Sequence, residues 1–63
     1  MKLSDGTPAT VGLRVVAIAG SSYGHYAPGH AGQIVSLNPS DPVVRWDHSQ
    51  QAHQTSKGKL KRE

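Results

Sequence analysis

Short apolar runs rich in β-branched residues, separated by turn-forming residues, constrain this chain more than any other feature. The first run, VGLRVVAIA, covers residues 11–19 and is followed by a glycine and two serines. A second, GQIVSL, covers residues 32–37, and a third, VVRWDH, covers residues 43–48. None of them has a sustained 3.6-residue apolar period, so the pattern predicts short strands and no long helix.

The segments between and after these runs are rich in turn signals. Residues 38–42, NPSDP, contain two prolines and an Asn/Asp pair, which predict a turn between the second and third strands. After Asp47 the chain is polar, and we expect a weaker strand over residues 52–56. A turn at Lys57-Gly58 follows, and Leu60 is the one large apolar residue available to anchor the end of the chain. This succession of short strands predicts an all-β fold.

The length of 63 residues allows one small domain. A bent sheet that closes on itself leaves the fewest exposed edges, so we predict a single barrel of about five short strands over residues 11–63. Residues 1–10 are polar and are expected to form a flexible lead-in. Alternation along the third strand points Val44 and Trp46 inward. The predicted core comprises Leu13, Val15, Ile18, Ile34, Leu37, Val44, Trp46 and Leu60.

The net charge of +3 originates in the C-terminal end of the chain. Over residues 1–56 the basic and acidic side chains cancel. The excess comes from four basic residues, offset only by Glu63: Lys57, Lys59, Lys61 and Arg62. Such a cluster either binds phosphate or an acidic partner, or forms a solvated tail.

The segment GSSYGHYAPGHA, Gly20–Ala31, is the most suggestive part of the sequence because it holds both tyrosines and two of the four histidines. Long loops in compact domains often carry function. The candidate binding residues of this loop are Tyr23, His25, Tyr26 and His30. The alternative is that the loop folds over the barrel and its tyrosines cover an open edge of the core. A methylammonium-binding cage is not favoured, because only two aromatic rings remain if Trp46 is in the core.

The four histidines repeat a spacing, His25-x4-His30 and His48-x4-His53. Imidazoles can ligate zinc, copper or nickel, but this spacing is not an established ligand pair, so we expect four surface histidines and no bound metal. The absence of cysteine excludes disulfides and thiolate zinc sites.

Catalytic patterns are also missing from the sequence. No nucleophile lies beside a base that a third group holds in place, and no carboxylate pair is evident. No phosphate-binding glycine motif occurs either. We therefore expect a non-enzymatic protein without a cofactor.

The order of VGLRVV, GHAGQIV and VVRWD over residues 11–47 resembles the small SH3-like barrels of the Tudor, KOW and Mind bomb/HERC type. In those domains a Gly-x-Arg-Val-Val strand is followed by a loop, then by Gly-x-x-Gly-x-Ile/Val and by Val-x-Trp-Asp. The resemblance implies an SH3-like barrel but only a binding function, because these barrels bind many unrelated ligands. The chain departs from the pattern after Asp47, where residues 48–51, HSQQ, replace the glycine that many relatives carry.

Two residues of this pattern have an expected physical role. Gly32 lies where a strand begins and bends. The Asp47 carboxylate is expected to cap backbone amides of the following turn.

Two fainter resemblances concern other small barrels. The chain is similar in length and strand order to the docking subunit PsaE of photosystem I. The type II dihydrofolate reductases share a Gly-Gln-Ile-Val segment with residues 32–35, but their active-site Val-Gln-Ile-Tyr segment has no counterpart here.

Three functions follow from these features. The favoured one is a non-enzymatic docking module that engages a larger protein through the Gly20–Ala31 loop and an open strand edge, because the body of the domain is electrically neutral. The second is a weak nucleic-acid-binding module that uses the basic C-terminal end and the loop tyrosines. The third is an oligomeric enzyme of the type II dihydrofolate reductase kind, or a metal-binding protein. With no apolar span and no basic-then-apolar leader, we expect a cytoplasmic protein without membrane insertion.

Overall fold

The computed structural model describes residues 1–63 and contains five strands and one 3₁₀ turn. The strands are β1 (Arg14–Ala17), β2 (Ala31–Leu37), β3 (Pro42–Trp46), β4 (Ala52–Gln54) and β5 (Leu60–Arg62). The 3₁₀ turn, Lys57–Lys59, directly precedes β5. The prediction of an all-β fold with about five short strands and no long helix is confirmed. The molecule has no helix with the length and hydrophobicity that crossing a bilayer requires.

The strands form one antiparallel sheet in the order β4-β3-β2-β1-β5. The first four strands are therefore consecutive neighbours, and β5 returns to pair with β1. A register shift between Ile34 and Ser36 marks a bulge in β2. Such a bulge bends a strand and increases its twist, which helps the sheet to wrap around one core.

The core lies on the inner face of this sheet and has contributions from β1, β2, β3 and β5. Burial alternates along β1 and β3, as expected for strands with one face in the core. Leu13 packs against the cluster from one side. The fully buried apolar side chains are Val15, Ile34, Pro42, Val44, Trp46 and Leu60.

Two residues of the predicted core lie largely in solvent. Ile18 is 45% exposed, because the alternation of β1 turns Ala17 inward and Ile18 follows the end of the strand. Leu37 is 41% exposed at the last position of β2, beyond the bulge. Side-chain size suggested both residues for the core, but their positions at strand ends decided their exposure.

The first ten residues pack against the sheet. Leu3 is only 4% exposed, and Ala9 is also buried in the core. The main-chain N–H of Ser4 donates to the carbonyl of Leu60 at 2.9 Å, so this segment covers the outer edge of β5. The polar composition predicts a flexible lead-in here, but two apolar side chains within it reach the core.

Two residues of the sequence pattern take up well-defined places. A Cβ atom on Gly32 would lie 2.6 Å from the carbonyl oxygen of Arg45, so only glycine fits this close approach of β2 to β3. The Asp47 carboxylate accepts hydrogen bonds from Nη1 and Nη2 of Arg14, which lowers the pKa of Asp47. The expectation that Asp47 caps amides was wrong, because the oppositely charged Arg14 binds it instead. The turn is closed by the main-chain N–H of Gln50, which donates to the Trp46 carbonyl at 2.7 Å.

Candidate functional site

The Gly20–Ala31 loop, which joins β1 to β2, folds back over the sheet. Its Tyr26 ring stacks on the indole of Trp46 with ring centroids 4.6 Å apart. Tyr26 is 7% exposed, and this burial raises the pKa of its hydroxyl. Tyr26 thus covers the core, and its stacked ring face is not available to a partner.

A surface groove lies between the loop, the β2–β3 turn and β4. Its volume is about 410 Å³. Tyr23 forms one wall and is 86% exposed, while His25 is half-buried in the groove. The lining residues are Ser21, Ser22, Tyr23, His25, Tyr26, Asp41, His53, Gln54 and Ser56. Three of the four candidate loop residues line the groove, Tyr23, His25 and the largely buried Tyr26, whereas His30 does not.

Charged groups of both signs surround the groove. The Asp41 carboxylate accepts the main-chain N–H of Lys57 at 3.2 Å. The Lys57 amino group donates to the carbonyl of Ser40, and the Lys59 amino group donates to the carbonyl of Gly20, each at 3.2 Å. Two residues of the basic cluster thus lie beside the loop and the β2–β3 turn.

The other two basic residues, Lys61 and Arg62, are exposed on β5. The main-chain N–H of Arg62 donates to Asp5, and this bond, together with the stronger one from Thr7, lowers the pKa of Asp5. Neither Lys61 nor Arg62 lines the groove. The structure therefore divides the basic cluster between two places on the surface.

The four histidines form two pairs across the structure rather than along the sequence. His25 stacks on His53 with ring centroids 3.7 Å apart and planes 10° apart. His30 lies against His48 with centroids 4.0 Å apart and planes 31° apart. In the His25–His53 pair the in-plane nitrogen lone pairs lie in two nearly parallel planes and therefore do not converge on one point. No group of three or more histidine, aspartate or glutamate side chains has an arrangement that could hold a metal ion.

The edge of β4 beside the groove has unpaired main-chain groups. Thr55 donates to the Pro42 carbonyl and Trp46 donates to the Gln51 carbonyl, so the intervening His53 faces Val44 of β3. The alternation of an antiparallel ladder then turns the N–H and C=O groups of Ala52 and Gln54 outward. No strand pairs with this side of β4, because β4 is the edge of the sheet.

The sequence pointed to the loop but not to the opposite wall of the groove. Asp41, Gln54 and Ser56 come from a turn, an edge strand and the segment before the 3₁₀ turn, and nothing in their local sequence brings them together. The repeated histidine spacing was the one available signal for His53. The ring that pairs with His53 is determined by the fold, which places residues 25–30 alongside residues 48–53.

Fold and groove together define a small antiparallel β domain with a surface groove beside an open strand edge. A solved structure that describes DNA unwinding at forked double-stranded DNA by two coordinating Pif1 helicases contains a similar fold, with a TM-score of 0.64 and 23% sequence identity. The match covers 79% of this chain and 13% of the helicase chain. At this identity it shows the fold alone. No family model matches the sequence, and no curated protein matches it significantly.

Proposed function

We propose that this domain is a non-enzymatic docking module that binds an extended segment of a larger protein. The segment would lie in the groove between the Gly20–Ala31 loop and β4. The observation that carries this proposal is that the groove adjoins the unpaired edge of β4, and that Gln54 belongs to both.

The two parts of this site have complementary chemistry. A peptide added to an open sheet edge gains main-chain hydrogen bonds, and neighbouring pockets select its side chains. The outward N–H and C=O groups of Ala52 and Gln54 supply the former. Tyr23 supplies an exposed aromatic face with a polar tip, a type of residue that is enriched at protein interfaces.

We also propose that the sheet is an SH3-like barrel. The return of β5 to β1 supports this proposal, as does a single core that draws on four strands. The Gly-x-Arg-Val-Val and Val-x-Trp-Asp patterns described above add to it, since they fall on β1 and β3 and the residues that flank them.

Nucleic acid is the second candidate ligand. Lys57 and Lys59 lie beside the groove, and Tyr23 is free to stack on a base. The similar helicase structure concerns DNA unwinding, which is a further reason to test this ligand. Asp41 in the groove opposes it, because a carboxylate repels phosphate.

The test is selection of linear peptides from a phage-displayed random library, followed by amide NMR titration of the labelled domain with a selected peptide. We expect shifts in residues 21–25 and 52–56. Tyr23→Ala should weaken binding about tenfold or more, as loss of a central aromatic anchor does. Gln54→Pro should also weaken it, because it removes only an outward N–H, and proline is tolerated at such edge positions.

Val11→Ala is the matched control, since Val11 is exposed outside the groove. It should leave peptide affinity unchanged. A library that yields no peptide shifting the groove amides would count against the docking function. If a single-stranded oligonucleotide at physiological salt shifted Tyr23 and the groove amides instead, nucleic acid would replace protein as the proposed ligand.

A further inference from the structure

The equal spacing of the two histidine pairs has a structural reason. His25 and His30 lie on the β1–β2 loop, while His48 and His53 lie on the β3–β4 hairpin. The two segments run in opposite directions, so the first histidine of one meets the second histidine of the other. Two imidazole pairs therefore join the same loop to the same hairpin, and one of them lies in the groove.

The loop conformation depends directly on the protonation of one of these rings. The Nδ1 atom of His30 accepts the main-chain N–H of Ala27 at 3.1 Å, which requires that Nδ1 carry no proton. In turn the N–H of His30 donates to the Ala27 carbonyl at 3.1 Å. Protonation of His30 removes the acceptor of the Ala27 N–H and loosens this turn.

The groups around each pair do not neutralise both rings. Around the groove pair lie the Asp41 carboxylate, the Tyr23 hydroxyl group and the cations of Lys57 and Lys59. Asp41 is the only carboxylate that lines the groove with His25 and His53, and it accepts the main-chain N–H of Lys57.

The second pair includes His48, which directly follows Asp47 in the chain. The Asp47 carboxylate is already bonded to Arg14, and Arg45 is a further nearby cation. It therefore offers His48 only partial compensation.

We propose that the two imidazole pairs are an acid-sensitive latch that holds the loop against the hairpin and so regulates the groove. The rings of one pair stack, and those of the other pair lie against each other with planes 31° apart. On acidification, protonation places like charges on facing rings at centroid separations of 3.7 and 4.0 Å, and the loop separates from the hairpin. The link to ligand binding rests on the proposed docking function, whereas the latch itself is a property of the free domain.

The test is amide and histidine-ring NMR of the free labelled domain from pH 8 to pH 5. We expect the amide signals of residues 21–30 to shift and broaden over the pH range in which the ring signals titrate. The His25→Gln/His48→Gln double variant removes one ring from each pair and therefore all ring–ring repulsion. Its amide signals over residues 21–25 should change little over the same pH range, whereas the Ala27 amide still responds to His30, which the double variant keeps. Wide amide dispersion at pH 8 would show that the variant folds, and the two single variants serve if it does not.

A second arm measures affinity for a selected groove-binding peptide at pH 7.5 and pH 5.5. The wild type should bind about tenfold or more weakly at the lower pH, whereas the double variant should show little change. Unchanged wild-type signals over residues 21–25, or an equal change of those signals in the double variant, would overturn the latch. If the free domain showed the pH-dependent loop change but no peptide bound to the groove, the docking function would be wrong and the latch would stand.

Discussion

Gly32 is the one glycine at which an added Cβ atom would clash with its surroundings. Its missing side chain lets β2 and β3 approach so closely that a Cβ atom would lie 2.6 Å from the Arg45 oxygen and 2.7 Å from Cγ1 of Val44. Because both atoms belong to a packed strand, neither can move away easily. We predict that Gly32→Ala lowers the free energy of unfolding by about 1–3 kcal/mol, the usual cost of overpacking.

Urea unfolding followed by Trp46 fluorescence would measure this change. Gly58→Ala is the matched control, because the nearest atom to its new Cβ is Ser56 Oγ at 3.9 Å. The control should stay within about 0.5 kcal/mol of the wild type. Equal stabilities for the two variants would contradict the close approach of β2 and β3 at Gly32.

The ion pair between Arg14 and Asp47 makes a second residue-scale prediction. The hydrogen bonds from Arg14 hold the pKa of Asp47 below its ordinary value of 3.8. A carboxylate whose folded-state pKa is lowered stabilises the fold above its ordinary pKa, and this contribution disappears as the pH falls through the lower folded-state value. Asp47→Asn should therefore reduce the urea midpoint slightly at pH 7 but not at a pH well below 3.8.

The effect of Asp47→Asn should be small, because both side chains are about half exposed and solvent screens the pair. High salt at pH 7 should reduce it further. Asp5 serves as an internal reference: main-chain amides of Thr7 and Arg62 lower its pKa, and it keeps this acid dependence in the variant. A midpoint difference that persisted in acid would mean that Asp47 acts through something other than its charge.

At the scale of the elements, the N-terminal segment behaves as part of the sheet. It covers the outer edge of β5 and buries Leu3. Truncation of a buried leucine removes both transfer energy and packing, so Leu3→Ala should cost about 2 kcal/mol or more. Val11→Ala is the control, because Val11 is 64% exposed, and it should cost no more than about 0.5 kcal/mol.

Urea unfolding again gives the measurement for Leu3. Leu3→Val provides a milder variant if Leu3→Ala leaves too little folded protein. A flexible lead-in would predict equal midpoints for Leu3→Ala and the wild type, and that result would remove residues 1–10 from the fold.

The elements differ in how far the sequence could predict them. β2 and β3 were predicted within a residue or two, because β-branched runs bounded by Gly and Pro define strands locally. The predicted first strand was too long at both ends, since β1 is limited to the residues that pair with β2 and β5. The place of β5 and the burial of Leu3 depend on partners far away in sequence, which no local pattern encodes.

For the candidate site, the sequence could predict the loop but not its contacts with distant parts of the chain. The loop stood out because its tyrosines and histidines lie close together in sequence. Which tyrosine is exposed could not be inferred, because it depends on the stacking of Tyr26 on Trp46, a residue of another strand. The histidine pairs likewise follow from the antiparallel course of two segments that are more than ten residues apart in the chain.

At the scale of the whole molecule, the distribution of charge limits what the domain can bind. Arg14 is occupied by Asp47 and Glu63, so it adds little free positive charge to the body. Lys57 and Lys59 donate to main-chain carbonyls. Lys61 and Arg62 are the residues of the basic cluster that lie exposed and away from the groove.

This distribution predicts a weak salt dependence for binding of a single-stranded oligonucleotide. Each neutralised phosphate contributes about −0.7 to the slope of log K against log salt concentration, so contact through Lys61 and Arg62 alone gives a slope of about −1.4. Fluorescence anisotropy with a labelled oligonucleotide would measure the slope, and Lys61→Ala/Arg62→Ala should bring it close to zero. If the slope is steeper than about −3, basic residues on the body must contact phosphate as well, because all four residues of the cluster together supply only about −2.8. In that case the neutral net charge of the body would not argue against nucleic acid, and nucleic acid would be favoured over a protein partner.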